Sequence, residues 1–266
     1  MIKLFVGCAP NGEDAESQMV LEYTARKHTS MPLDIVWMKM SNDPSSYWHG
    51  WDTKLWPTPF SGFRWGIPEF CDFQGQAIYM DSDMIINADL AELWNAPFEK
   101  NKSIMGKGGW RFCVAKWNCD RAGHHVMPVS RLKSIPEFHS RMFNYFSARE
   151  NLVQLFDRQW NNFDGENDNL SDIKILHYTD MSTQPHFKYA LPRLEKTNIP
   201  HWYDGEIRTH RRNDVVELFD REYNSAINEG YTVEKYLPAQ DDIVDYIKQS
   251  QKGYTSSNGF DVTKGE

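Results

Sequence analysis

Asp81 and Asp83 stand one residue apart at the end of an apolar run, Ala77-Ile78-Tyr79-Met80, and the chain turns apolar again at Met84-Ile85-Ile86. In extended backbone, residues i and i+2 point to one side, so the two carboxylates can face one cation while Ser82 turns away. Two oxygen donors with no Cys or His beside them in sequence favour Mg²⁺ or Mn²⁺, ions that complete their shells with water and substrate phosphates. The ligand that such an ion brings is a diphosphate. An Asx-rich turn that only ends a strand is the competing reading, because acidic residues favour turns.

These residues need elements to hold them. Ile78, Tyr79 and Met80 read as a strand buried on both faces, and ligands of open α/β sheets sit at the carboxyl ends of such strands. Ile2-Lys3-Leu4-Phe5-Val6 is a second strand, residues 13–28 a helix packed on a sheet, and residues 33–37 a third strand. That order predicts a parallel crossover, the opening unit of a nucleotide-binding α/β fold. Its first loop places Asn11, with Cys8 and Ala9, near a nucleotide base, although the loop has no Gly-x-Gly-x-x-Gly pattern.

Residues 47–65 carry Trp48, Trp51, Trp56 and Trp65 between prolines and read as a loop whose indoles pack the edge of the core. Arg64 differs: a cation upstream of the acidic pair can neutralise phosphate. Residues 173–178 read as a strand that ends near His177, with Asp180 and Gln184 in the polar stretch beyond it. Residues 213–229 form an amphipathic helix stopped by Gly230, and residues 241–251 a shorter one. The Ser-, Gly- and charge-rich residues 254–266 read as a disordered tail.

The chain has 266 residues with a net charge of −8, which argues against a surface that binds phosphate backbone throughout. A basic cleft of Arg111, Lys116, Arg121 and Arg131 is the local exception that the sequence leaves open. The four cysteines, Cys8, Cys71, Cys113 and Cys119, are too scattered for a disulfide scaffold and read as reduced thiols, with Cys113 and Cys119 in the core. The residues before Cys8 are too few for a secretory signal, and no window approaches the roughly 20 apolar residues of a membrane span, so the expectation is a soluble, cytoplasmic protein.

In the order of its segments the chain resembles the family 8 glycosyltransferases, retaining enzymes of the GT-A fold. The resemblance rests on Arg64, Ile67-Pro68, the Ile78-Tyr79-Met80 strand, Asp81-Ser82-Asp83, Asp89-Leu90-Ala91-Glu92-Leu93-Trp94, Cys113-Val114-Ala115-Lys116-Trp117-Asn118, Trp160-Asn161 and His177. It covers roughly residues 1–190. The match departs near His177: Asp180 stands where Gly is usual, one residue is added, Gln184 replaces Lys and His186 replaces Trp. The usual Asp-Gln pair is missing too, and the acidic run from Asp164 to Asp168 either replaces it or is a solvated loop.

The resemblance implies one α/β GT-A domain over residues 1–250, Rossmann-like, with a mixed, mostly parallel sheet and a flexible tail at 251–266. It implies that Asp81, Asp83 and His177 hold Mn²⁺ or Mg²⁺, and that Cys8, Ala9, Asn11, Arg64, Asp81, Ser82 and Asp83 bind a nucleotide-sugar donor, a UDP-sugar. Asp180, Gln184 and Asp164 would orient sugar hydroxyls. The acceptor it implies is a carbohydrate or glycoconjugate, with hydroxylated bases of viral DNA as the alternative. A nucleotide-sugar hydrolase and a non-catalytic carbohydrate-binding protein are the rival functions.

Overall fold

The opening crossover forms as the pattern predicts. β1 (Ile2–Gly7) and β2 (Leu33–Met38) are parallel, with α1 (Ala15–His28) between them. The computed structural model describes residues 1–109, 111–166 and 168–245. After β2 the chain runs through the Trp-rich segment. All four indoles are buried there, and a short 3₁₀ turn, Ser61–Gly66, carries Arg64.

β3 (Gln76–Asp81) then pairs parallel with β1 on the side away from β2. β4 (Met84–Ile86) follows, then β5 (Ile104–Lys107), β6 (Arg111–Asn118), β7 (Val153–Leu155), β8 (Asn162–Phe163) and β9 (Ile175–His177). Among the described residues these make a six-stranded sheet of order β2-β1-β3-β6-β5-β7 and a three-stranded sheet of order β4-β9-β8. The larger sheet is mixed and mostly parallel: β6 runs antiparallel to β3 and β5, and the other three pairings are parallel.

The chain leaves one sheet and enters the other within Ser82 and Asp83. Both departures are pinned: Ser82 N–H donates to Gly7 O (3.1 Å) and Tyr178 N–H to Asp83 O (3.0 Å). The acidic pair therefore sits at the seam of two sheets rather than along one extended strand. Gly7 keeps the seam narrow, since a Cβ there would stand 2.8 Å from the Tyr79 hydroxyl and from the Phe60 ring.

The remaining helices are α2 (Ile67–Phe70), α3 (Leu90–Asn95), α4 (Cys119–Ala122), α5 (Val129–Ser134), α6 (Phe138–Ser147), α7 (Phe187–Thr197) and α8 (Asn213–Asn228). The α8 stripe of Val215, Leu218 and Phe219 packs with Val20 of α1. The helix expected over residues 241–251 is not formed where it is described. Gln240–Asp242 is a single 3₁₀ turn and residues 243–245 are irregular, because their polar groups bond outward to Asn42 and Asn11 instead of along a helix. The rest of that segment and the tail at 251–266 lie outside the described residues. No helix of the described residues is long and apolar enough to cross a membrane.

Candidate metal centre

At the seam, β3 delivers Asp81, the turn delivers Asp83 and the end of β9 delivers His177. His177 is held next to the turn by register, since β9 pairs antiparallel with β4 and sets His177 opposite Met84. Its Nε2 lies 3.3 Å from Asp83 Oδ1 and 3.9 Å from Asp81 Oδ2. His177 Nδ1 donates to Asn161 Oδ1 at 3.1 Å, which fixes the ring and leaves Nε2 to face the carboxylates.

Each carboxylate has a support that leaves one oxygen toward the cluster. Asp81 Oδ1 accepts from the Tyr79 hydroxyl and from Arg64 Nη2 (3.1 Å). Asp83 Oδ2 accepts from Gln184 Nε2 at 2.8 Å. Asp83 Oδ1 is closed off from solvent and has no hydrogen-bond partner. An orphaned carboxylate oxygen facing an anchored imidazole is the arrangement a cation requires, so the residues present fit a divalent metal.

Among the side chains alone, protons compensate the clustered carboxylates. Burial raises the Asp81 pKa, against the pull of Arg64 and His177. For His177, burial alone would favour the neutral ring, but the Asp83 carboxylate and Cys113 together outweigh it and hold the pKa well above the usual value. Burial also keeps Tyr79 protonated, so its hydroxyl stays a donor to Asp81.

Other residues named from sequence are placed as follows. Arg64 is 7% exposed and anchored by Ser61 O (2.7 Å), Phe112 O (2.6 Å) and Asp81, which makes it a brace for the acidic pair. Ser82 and the Ala9 N–H both bond Asp14 Oδ2, tying the turn to the loop after β1. Cys8 is buried among Ile2, Leu4 and Val6, and its thiol points to Val6 O. Asn11 has both ends of its amide taken by the backbone of Val244, at 3.0 and 2.8 Å.

Asp164 follows β8, beside His177. One of its oxygens takes the Thr179 N–H and hydroxyl, and the other faces His210 Nε2 at 3.0 Å. Asp180 is exposed and caps its own turn through Ser182. The structure thus brings Asp81, Asp83, His177, Arg64 and Gln184 into one network, and sets Asp164 at its edge. Lys116 does not contribute to the expected basic cleft: it is 1% exposed and donates to Trp94 O and Ala96 O, both at 2.6 Å.

Sequence reasoning passed over Cys113, which it placed in the core. β3 and β6 pair Met80 with Val114, and one further step of that antiparallel register sets Cys113 opposite Asp81. The donor atoms of Asp81, Cys113 and His177 all lie within 4.8 Å of one another. The premise that no Cys or His accompanies the acidic pair holds for the sequence and fails in space. Lys107 was also missed: it pairs with Glu166 (2.6 Å) and sits 3.7 Å from the centre of the Phe163 ring, which packs edge-on against His177.

No protein-family model matches the chain, and no curated protein sequence does. Solved structures do. The galactosyltransferase LgtC, solved with donor and acceptor sugar analogs, aligns over 85% of this chain and 96% of its own at 11% identity, with a TM-score of 0.54. The glycosyltransferase GlyE of Streptococcus pneumoniae TIGR4 aligns over 91% of this chain and 66% of its own at 14% identity, TM-score 0.54. The bifunctional glycosyltransferase WbbM aligns over 89% of this chain at 11% identity, TM-score 0.52, and this chain spans about half of its length (51%). Likeness of this order establishes the fold: an α/β fold of the GT-A glycosyltransferase type.

Proposed function

We propose that this protein is a metal-dependent glycosyltransferase, moving a sugar from a nucleotide-diphosphate donor, a UDP-sugar, to a hydroxyl of a carbohydrate or glycoconjugate with retention of anomeric configuration. The observation that carries the proposal is that His177 Nε2 stands within 4 Å of a carboxylate oxygen of Asp81 and of one of Asp83, at the carboxyl end of β3 in a GT-A fold. Binding alone would not require that trio, which disfavours a non-catalytic carbohydrate-binding role.

Asp81 Oδ2, Asp83 Oδ1 and His177 Nε2 would hold the cation. The bound ion supplies Lewis-acid stabilisation for negative charge growing on the leaving diphosphate. The chain supplies the positioning. Arg64 and Tyr79 fix Asp81, Gln184 fixes Asp83 and Asn161 fixes His177, so little reorganisation accompanies bond breaking. Lys107, at the end of β5, has its charge balanced by Glu166 and packs on the Phe163 ring that rests against His177, so it supports the imidazole from behind. Front-face attack, with the acceptor proton leaving on the donor phosphate, needs no nucleophile from the chain.

The test is turnover of a panel of nucleotide sugars with Mn²⁺ or Mg²⁺, reading released nucleotide, free sugar and sugar transferred to glycan acceptors, with Asp83→Ala alongside. Metal-dependent transfer that Asp83→Ala abolishes supports the proposal. Free sugar as the main product would make the protein a hydrolase, and no metal-dependent nucleotide binding would defeat both readings.

A further inference from the structure

We infer that Cys113 is a fourth protein donor at this centre, so that the cation is held by two carboxylates, one imidazole and one thiolate, and thiophilic ions bind in preference to Mg²⁺. The inference rests on the metal-centre reading above and adds the identity of the ions it takes.

Three observations lead to it. The β3–β6 register sets Cys113 across from Asp81, so the two side chains leave the same face of the sheet. The thiol, the Asp81 carboxylate and the His177 imidazole share a volume in which no two donor atoms are more than 4.8 Å apart. Donors bound tetrahedrally to one ion at about 2.0–2.3 Å stand about 3.3–3.8 Å apart, so a contraction of about an ångström or less closes the shell. Finally, Cys8, Cys71 and Cys119 are sealed in the interior, and Cys113 is the cysteine left partly open; the imidazole it shares the cluster with also faces the Asp83 carboxylate at 3.3 Å.

Donor chemistry sets the consequence. Carboxylates alone suit Mg²⁺ or Mn²⁺, but a thiolate and an imidazole shift affinity toward Zn²⁺, Co²⁺ and Cd²⁺. Mg²⁺, which demands oxygen donors in a strict octahedron, gains nothing from sulfur.

The experiment titrates the full chain with Co²⁺ by absorbance, and with Zn²⁺ and Mn²⁺ by calorimetry, for wild type, Cys113→Ser and Asp83→Ala. The wild type should show a near-ultraviolet thiolate-to-cobalt charge-transfer band, a reading that needs no variant. Cys113→Ser should lose that band, bind Zn²⁺ at least about tenfold more weakly and keep its Mn²⁺ affinity, which also shows that it is folded. Absence of the band in wild type, its persistence in Cys113→Ser, or equal Zn²⁺ affinities would overturn the thiolate assignment while leaving the transferase reading intact. Failure of the wild type to bind any of the three ions better than Asp83→Ala would remove the metal centre itself, and both proposals with it.

Discussion

Asn161 is fully buried, and its carbonyl oxygen meets His177 Nδ1 at 3.1 Å. Partners of this kind fix the tautomer and aim of a ligating histidine, and their loss typically weakens metal binding by about 10–100-fold. Asn161→Ala should therefore raise the Kd for the cation by at least about tenfold in calorimetry, with far-ultraviolet circular dichroism unchanged. An unchanged Kd would mean that the ring is aimed by packing alone. A second residue sets an acid limit on stability. His139 accepts a hydrogen bond from Trp65 Nε1–H at 3.0 Å, and burial, helped by the Arg64 charge, pushes its pKa down to about 3 from 6.5. Between those values only the unfolded chain binds the proton, so stability falls as pH drops below about 6.5. His139→Gln, which keeps an acceptor for Trp65 but does not titrate, should lose about 1–2 kcal/mol less than wild type between pH 7 and pH 5 in urea melts. Parallel curves would show that His139 titrates alike in both states.

The crossover, the strand that ends in Asp81 and the helix over residues 213–228 were legible in sequence because each is built from local pattern: apolar runs, helical spacing and a Gly stop. What eluded sequence is set by pairing between elements distant in the chain. Cys113 joins Asp81 only through antiparallel register, and Asn11 meets Val244 across 233 residues. That second contact bears on nucleotide binding. A backbone amide edge offers Asn11 one N–H and one C=O, the same pair that the imide edge of a uracil presents. The segment around Val244 thus occupies the partner that the sequence reading gave to a base, and under the proposed function the two compete. Val244→Pro removes the N–H, and Ile243 already has the φ of −64° and ψ of 117° that suit a residue before proline. One hydrogen bond is worth about 0.5–1.5 kcal/mol, so this variant should bind UDP roughly 2–10-fold more tightly by calorimetry. Weaker binding would instead make the segment a wall of the pocket.

Across the molecule, the C-terminal third is fastened to α1 by charge. The residues of α1 from Ala15 to Ala25 are all buried, including Glu16, Ser17, Gln18, Glu22 and Thr24, so the helix has no polar face and its burial on every side does not show in its own sequence. Its carboxylates are satisfied from far away. Glu22 takes Lys235 (2.8 Å) and Tyr236 (2.9 Å), while Glu16 takes both Arg193 Nε (2.7 Å) and Nη2 (2.8 Å). Arg193 also donates to Gly12 O at 2.7 Å, so one guanidinium from α7 holds both the start of α1 and the loop that carries Asn11. Removing one partner of a buried pair leaves an uncompensated charge, at a cost of about 3–5 kcal/mol. Arg193→Ala should therefore lower the Tm by roughly 6–20 °C, using about 2–4 °C per kcal/mol for a chain of this size. Glu16→Gln combined with Arg193→Met removes both charges and keeps similar volume, so the double variant should recover most of that loss. If the double variant is no more stable than Arg193→Ala, the damage comes from lost packing between α7 and α1, and the ion pair is not what joins the C-terminal third to the opening unit.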